Sequence, residues 1–211
     1  MPIIVQRTLK IGLTGGIGAG KSYVSSIFVK KGISVYDSDM RAKALMVSDS
    51  DLIVQIKDCF GTAAYHQDGS LNRGYIAQIV FNNPDALMVL NSIVHPVLKQ
   101  DAQQWFEKQK NVYAIQEAAI LFESNMEQYL DYSIMVYAPR EVREQRVVQR
   151  DKISIEDVRA RISKQMPDEE KLQKADFVIY NSGQEDIEMQ IENLDQQLRR
   201  IAMDSENLQT L

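Results

Sequence analysis

Lys21 and Ser22 close the run Gly15-Gly-Ile-Gly-Ala-Gly20-Lys-Ser22, which fits the spacing G-x-x-x-x-G-K-S/T. The chemistry of that spacing is phosphate binding. Glycines let the backbone curl so that the N–H groups of Gly16, Ile17, Gly18, Ala19 and Gly20 turn inward toward anionic oxygens, and a helix starting at Lys21 adds its positive end. The Lys21 ammonium suits the outer phosphates of a nucleotide, and the Ser22 hydroxyl is the kind of hard oxygen that holds Mg2+ beside them.

Further along, the short apolar run 33–36 ends in Asp37-Ser38-Asp39. Ligands of open α/β sheets sit at the carboxyl ends of strands, so two carboxylates here fall where a phosphate's partners belong. Ser38 or Asp39 could instead simply cap the helical run that follows. Glu123 is a second acidic residue at the end of an apolar stretch, Ala118 to Phe122. His95 precedes Pro96, which biases it away from helix and leaves it either a hydrogen-bonded structural residue or a ligand contact. Arg143, Arg146 and Arg150 are spaced to share one helix face, either as a solvated basic row or as contacts to spread phosphate charge.

These groups need elements to position them. Leu9, Ile11 and Leu13 predict a strand into the loop, and residues 21–31 a helix ending at Gly32. Residues 33–37, 111–117, 131–137 and 176–181 read as four more strands, and the strand–helix–strand spacing implies a parallel sheet. Between 48 and 110 the pattern is helical, interrupted at Phe60-Gly61 and Asp68-Gly69. Pro139 is suited to the first position of a helix. Residues 151–174 are charged and helical, broken at Pro167, and suit a mobile cover. An amphipathic helix spans 184–200, and 202–211 is expected to fray.

The chain has 211 residues, 45% hydrophobic and 25% charged, enough for one substantial core. A net charge of -5 argues against a nucleic-acid scaffold. Its one cysteine, Cys59, cannot form an intramolecular disulfide, the apolar stretch at residues 1–8 is too short for a signal h-region, and no run approaches the length of a membrane span, so a cytoplasmic protein without membrane partners is expected. No coiled-coil heptad stands out, and a monomer or weak homo-oligomer is expected.

Together, the run from Gly12 to Ser22, Asp37-Ser38-Asp39, Leu90-Asn91 with His95-Pro96, Leu121-Phe122-Glu123, Arg146, Arg150-Asp151, and Ala175-Asp176 with Val178-Ile179 and Asn181 resemble the dephospho-coenzyme A kinases. The resemblance runs nearly end to end. It implies an α/β, three-layer P-loop NTPase fold with a five-stranded parallel sheet, in a single domain. Its core would cover 8–40 and 111–205, a helical substrate-binding insert 41–110, and a lid 150–168. It also implies transfer of the ATP γ-phosphate to the ribose 3′-hydroxyl of dephospho-CoA, with Mg2+.

On this resemblance Asp39 accepts the hydroxyl proton, Lys21 and Arg150 stabilise the transferring charge, and Asp37 orients Mg2+ through water beside Ser22. Arg146 and Asn181 join the loop in holding the nucleotide, and His95 and Glu123 join Asp39 at the substrate. The chain departs from the family pattern at Ser38, where alanine is usual. It also does so at Glu117-Ala-Ala-Ile120, where a proline and leucine are common, and at Ser124-Asn125, where a glycine is. Two rivals share parts of the pattern: a P-loop kinase acting on a nucleoside monophosphate, and a GTP-hydrolysing switch protein, which would need an Asn-Lys-x-Asp motif that the chain lacks.

Overall fold

Strand β1 (Leu9–Thr14) is covered on both faces: Ile11 and Leu13 on one and Thr14 on the other are fully shielded from solvent. Such a strand needs cover on both sides, which is the situation of a central strand in a parallel sheet. In the computed structural model, which describes residues 7–81 and 83–208, β1 is followed by helix α1 (Lys21–Lys30) and strand β2 (Val35–Asp37). Helices α2 (Ser38–Ser48), α3 (Ser50–Phe60), α4 (Arg73–Phe81) and α5 (Pro84–Glu107) come next. Strands β3 (Tyr113–Glu117) and β4 (Tyr132–Tyr137) lead to α6 (Arg140–Asp151), α7 (Ile155–Ile162) and α8 (Asp168–Lys174). Strand β5 (Phe177–Tyr180) and helix α9 (Ile187–Leu208) complete the order.

The five strands form one sheet in the order β2-β3-β1-β4-β5, with every pairing parallel. β1 is therefore the middle strand, and the glycine-rich loop leaves its carboxyl end between β3 and β4. On one face, Val24, Ile27 and Phe28 of α1 and Ile187, Ile191, Leu194, Leu198 and Ala202 of α9 join the sheet in a single apolar core. On the other, Gly12 stands opposite Gln116, and a Cβ on Gly12 would meet Leu121 and Leu130 at 2.7 and 2.8 Å. Only a residue without a side chain lets the segment after β3 lie that close.

The chain divides into two compact units, one of residues 1–37 and 105–211 and the other of 38–104. The second is helical, with an isolated antiparallel bridge between Tyr65 and Leu71. Within it Tyr65 donates to the Met46 carbonyl at 2.7 Å, and Arg41 grips Asp101 through two bonds.

Two expectations are corrected. His95 is not turned out of helix by Pro96: both lie inside α5. Pro96 lacks the N–H that would bond the Ser92 carbonyl, but the helix buries Val94, Leu98 and Ala102 along one stripe, which outweighs one lost bond. The chain end is also not frayed from 202. The spacing 187, 191, 194, 198, 202 continues the buried stripe, and α9 runs through Leu208. Residues 209–211 and the amino-terminal 1–6 lie outside the described residues.

Candidate active site

The loop wraps back on itself before it meets α1. Lys21 Nζ donates to the Gly15 carbonyl at 3.0 Å, which draws the long side chain over the loop rather than into solvent. Gly18 and Gly20 hold φ of 80° and 97°, a backbone region that costs a side-chain-bearing residue about 1 kcal/mol or more. They are crowded as well as strained: a Cβ would sit 2.6 Å from the Arg143 carbonyl at Gly18 and 2.2 Å from Asn181 Nδ2 at Gly20.

Those neighbours are the loop's scaffold. Asn181, buried just past β5, donates through Nδ2 to the Ala19 carbonyl at 2.8 Å. Its own carbonyl accepts from Arg146 Nη1 at 3.0 Å, so Arg146 is held beside the loop. Arg143, buried one turn earlier on α6, donates to the Ile17 carbonyl at 3.3 Å and is ion-paired with Asp168. Burial pushes the Asp168 carboxyl up, and the Arg143 guanidinium opposes that shift. Arg143 is thus a structural cation under the loop, and the three arginines do not share one role. Arg150, on the exposed end of α6, is paired with Asp151 at 2.7 Å. That bond raises its own already high pKa and lowers that of Asp151.

Glu117 has no role in the sequence reading beyond ending a strand. In the structure its carboxylate accepts from the Ser22 hydroxyl at 3.4 Å and from the Ser25 hydroxyl one turn further along α1. The register Leu13↔Glu117↔Asp37 sets both acids at the carboxyl ends of strands on the β1 side that leads to α1. An acidic residue closing an apolar run was the available signal, but strand adjacency gives it meaning. Ser22 and Glu117 together form an oxygen donor set of the kind Mg2+ takes.

Glu123 follows Leu121 and Phe122, both buried. It accepts from the Met166 N–H at 2.9 Å and is ion-paired at 2.7 Å with Lys171, whose side chain is fully buried. Asn125 has φ 53°, the backbone region that explains why a glycine suits this turn. Asp39 is exposed in the first turn of α2 and Asp37 stands directly before that helix. His95 is half-buried on α5, where desolvation lowers its pKa. Asp39 and His95 belong to the 38–104 unit and the loop to the other.

A family model described as dephospho-CoA kinase matches residues 9–186. The Bacteroides fragilis dephospho-CoA kinase is 39% identical over 184 residues, covering 87% of this chain and 89% of that protein. A crystal structure from Thermus thermophilus superposes with a TM-score of 0.78 at 32% identity, covering 92% of this chain and 98% of the other. The dephospho-CoA kinase from Campylobacter jejuni does so at 0.67 and 28%, covering 90% and 97%. With its phosphate loop on the middle strand of a five-stranded parallel sheet, the chain belongs to the dephospho-CoA kinase family.

Proposed function

We propose that this chain transfers the γ-phosphate of ATP to the ribose 3′-hydroxyl of dephospho-CoA, giving CoA and ADP. As a family member it is a kinase, a phosphotransferase with an alcohol acceptor. The observation that carries the reaction reading is the loop itself, with Lys21 drawn over it and the Ser22–Glu117 pair at its helical end.

The ribose oxygen attacks the γ-phosphorus, the bond to the β-phosphate oxygen breaks, and the hydroxyl proton passes to a carboxylate, assigned here to Asp39. Phosphoryl transfer passes through a loose transition state with charge spread over the transferring oxygens, so positioning and electrostatics do most of the work. Lys21, the amides of Gly16 to Gly20 and Arg150 meet that charge. Arg146, fixed by Asn181, packs on the adenine ring. Ser22 and Glu117 would hold Mg2+, with Asp37 assigned to it through water, and the bound ion would supply positive charge against the nucleotide's phosphate oxygens. His95 and Glu123 are assigned to the substrate side, the 38–104 unit to binding dephospho-CoA, and 150–168 to a lid. No helix among the described residues is long and apolar enough to cross a membrane, and a cytoplasmic monomer or weak homo-oligomer is the working assignment.

A coupled ADP-release assay with ATP and Mg2+, comparing dephospho-CoA, AMP, CMP and no acceptor, tests this. Release only with dephospho-CoA, lost in Lys21→Ala, is expected. Release with a monophosphate, or without any acceptor, would overturn the substrate assignment.

A further inference from the structure

Gln165 lies between α7 and α8, and its side-chain oxygen accepts the Ile17 N–H at 2.9 Å. Ile17 is inside the phosphate loop, so an amide of the anion-binding set is bonded to a protein side chain. The neighbours of Gln165 are separately fastened. Met166 donates its N–H to Glu123 at 2.9 Å, and Asp168 pairs with Arg143, which itself donates to the Ile17 carbonyl. Ile17 is therefore gripped at its N–H by Gln165 and at its carbonyl by the arginine that Asp168 holds. Tyr137, Arg143, Gln165, Met166 and Asp168 line one cleft of about 290 Å3 there.

We infer that Gln165 is a latch on the phosphate loop. Its amide oxygen competes with nucleotide phosphate for the Ile17 N–H, and a bound nucleotide displaces it. The inference rests on the reading that this loop binds the phosphates of ATP. The two acceptors are unequal: the glutamine oxygen is neutral, whereas a phosphate oxygen makes a charge-assisted bond roughly twice as strong. The exchange therefore runs toward phosphate, but breaking the latch lowers the apparent affinity. The anchors at Met166 and Asp168 do not involve the Ile17 N–H, so only the Gln165 side chain has to leave. The cleft beside it gives that side chain somewhere to go.

The test measures binding of ATP and of adenosine, which carries no phosphate, to wild type, Gln165→Ala and Gln165→Glu. Removing the competitor in Gln165→Ala should tighten ATP binding about fivefold, the equivalent of one neutral hydrogen bond. Gln165→Glu, a charged acceptor that holds the amide harder and repels phosphate, should weaken it. Adenosine should bind all three alike. Weaker or unchanged ATP binding in Gln165→Ala, with wild type binding ATP, overturns the latch alone. A parallel change in adenosine binding would mean a general structural effect and would also overturn it. A wild type that binds no ATP overturns the nucleotide reading beneath it.

Discussion

The side-chain nitrogen of Asn181 lies 2.8 Å from the carbonyl of Ala19, joining the residue after the last strand to the middle of the phosphate loop. The bond is buried, and the same asparagine accepts from Arg146 through its backbone carbonyl. Asn181→Ala leaves the Ala19 carbonyl unsatisfied, which costs about 1–3 kcal/mol. Urea unfolding should show that loss, and ATP binding should weaken with it because the loop loses its brace. Full stability with weaker ATP binding would instead make Asn181 a direct nucleotide contact.

Asp39→Asn should lower turnover while leaving ATP affinity nearly unchanged. A positioned base contributes about 10²–10⁴-fold, and Asp39 stands exposed at the start of α2. Steady-state kinetics beside an ATP-binding isotherm separates the two effects. Weakened ATP binding with turnover kept would reassign Asp39 to the metal.

The loop and the sheet were legible because their signals are local. The G-x-x-x-x-G-K-S/T spacing spans eight positions, and the buried strands read as apolar runs ending at turn or acidic residues. The contacts that make the loop a site are not local. Asn181 meets Ala19 across 162 residues, Gln165 meets Ile17 across 148, and Glu117 meets Ser22 across 95. They follow from the strand order, which places β3 and β4 on either side of β1 and cannot be read from a single strand. The misread at His95-Pro96 has the opposite origin: a local rule about proline lost to the burial of a long helix face. Asn181 stood out only through family likeness, since an asparagine after a strand is otherwise an ordinary turn residue.

Glu117→Gln keeps a hydrogen-bond acceptor for Ser22 and Ser25 but removes the charge. If Glu117 shares Mg2+ with Ser22, the ion concentration for half-maximal rate should rise about 10–100-fold, with the rate at saturating Mg2+ largely recovered. A Mg2+ titration of both forms measures this. An unshifted titration would leave Glu117 as only a brace between β3 and α1.

Acid should loosen the link between α6 and α7. The Arg159 and Arg140 guanidinium groups beside Glu144 hold its carboxyl below the ordinary glutamate value. A depressed folded-state pKa contributes stability that is fully present above the ordinary value and lost as pH falls through the lowered one. The difference in melting temperature between wild type and Glu144→Gln should therefore be largest near neutral pH and close as the solution is acidified below the glutamate range. A gap independent of pH would assign the effect to packing.

The Lys171 side chain has no exposure, and its ammonium meets Glu123 at 2.7 Å. Removing one partner of a buried pair costs about 3–5 kcal/mol, whereas replacing both with apolar groups of similar size is often neutral. Glu123→Gln should destabilise strongly, and Glu123→Leu combined with Lys171→Met should recover much of the loss in urea unfolding. The double variant also separates two roles of Glu123. If the carboxylate acts only by pairing with Lys171, recovered stability should bring recovered turnover with dephospho-CoA. If it touches the substrate, stability returns and the Michaelis constant for dephospho-CoA stays raised.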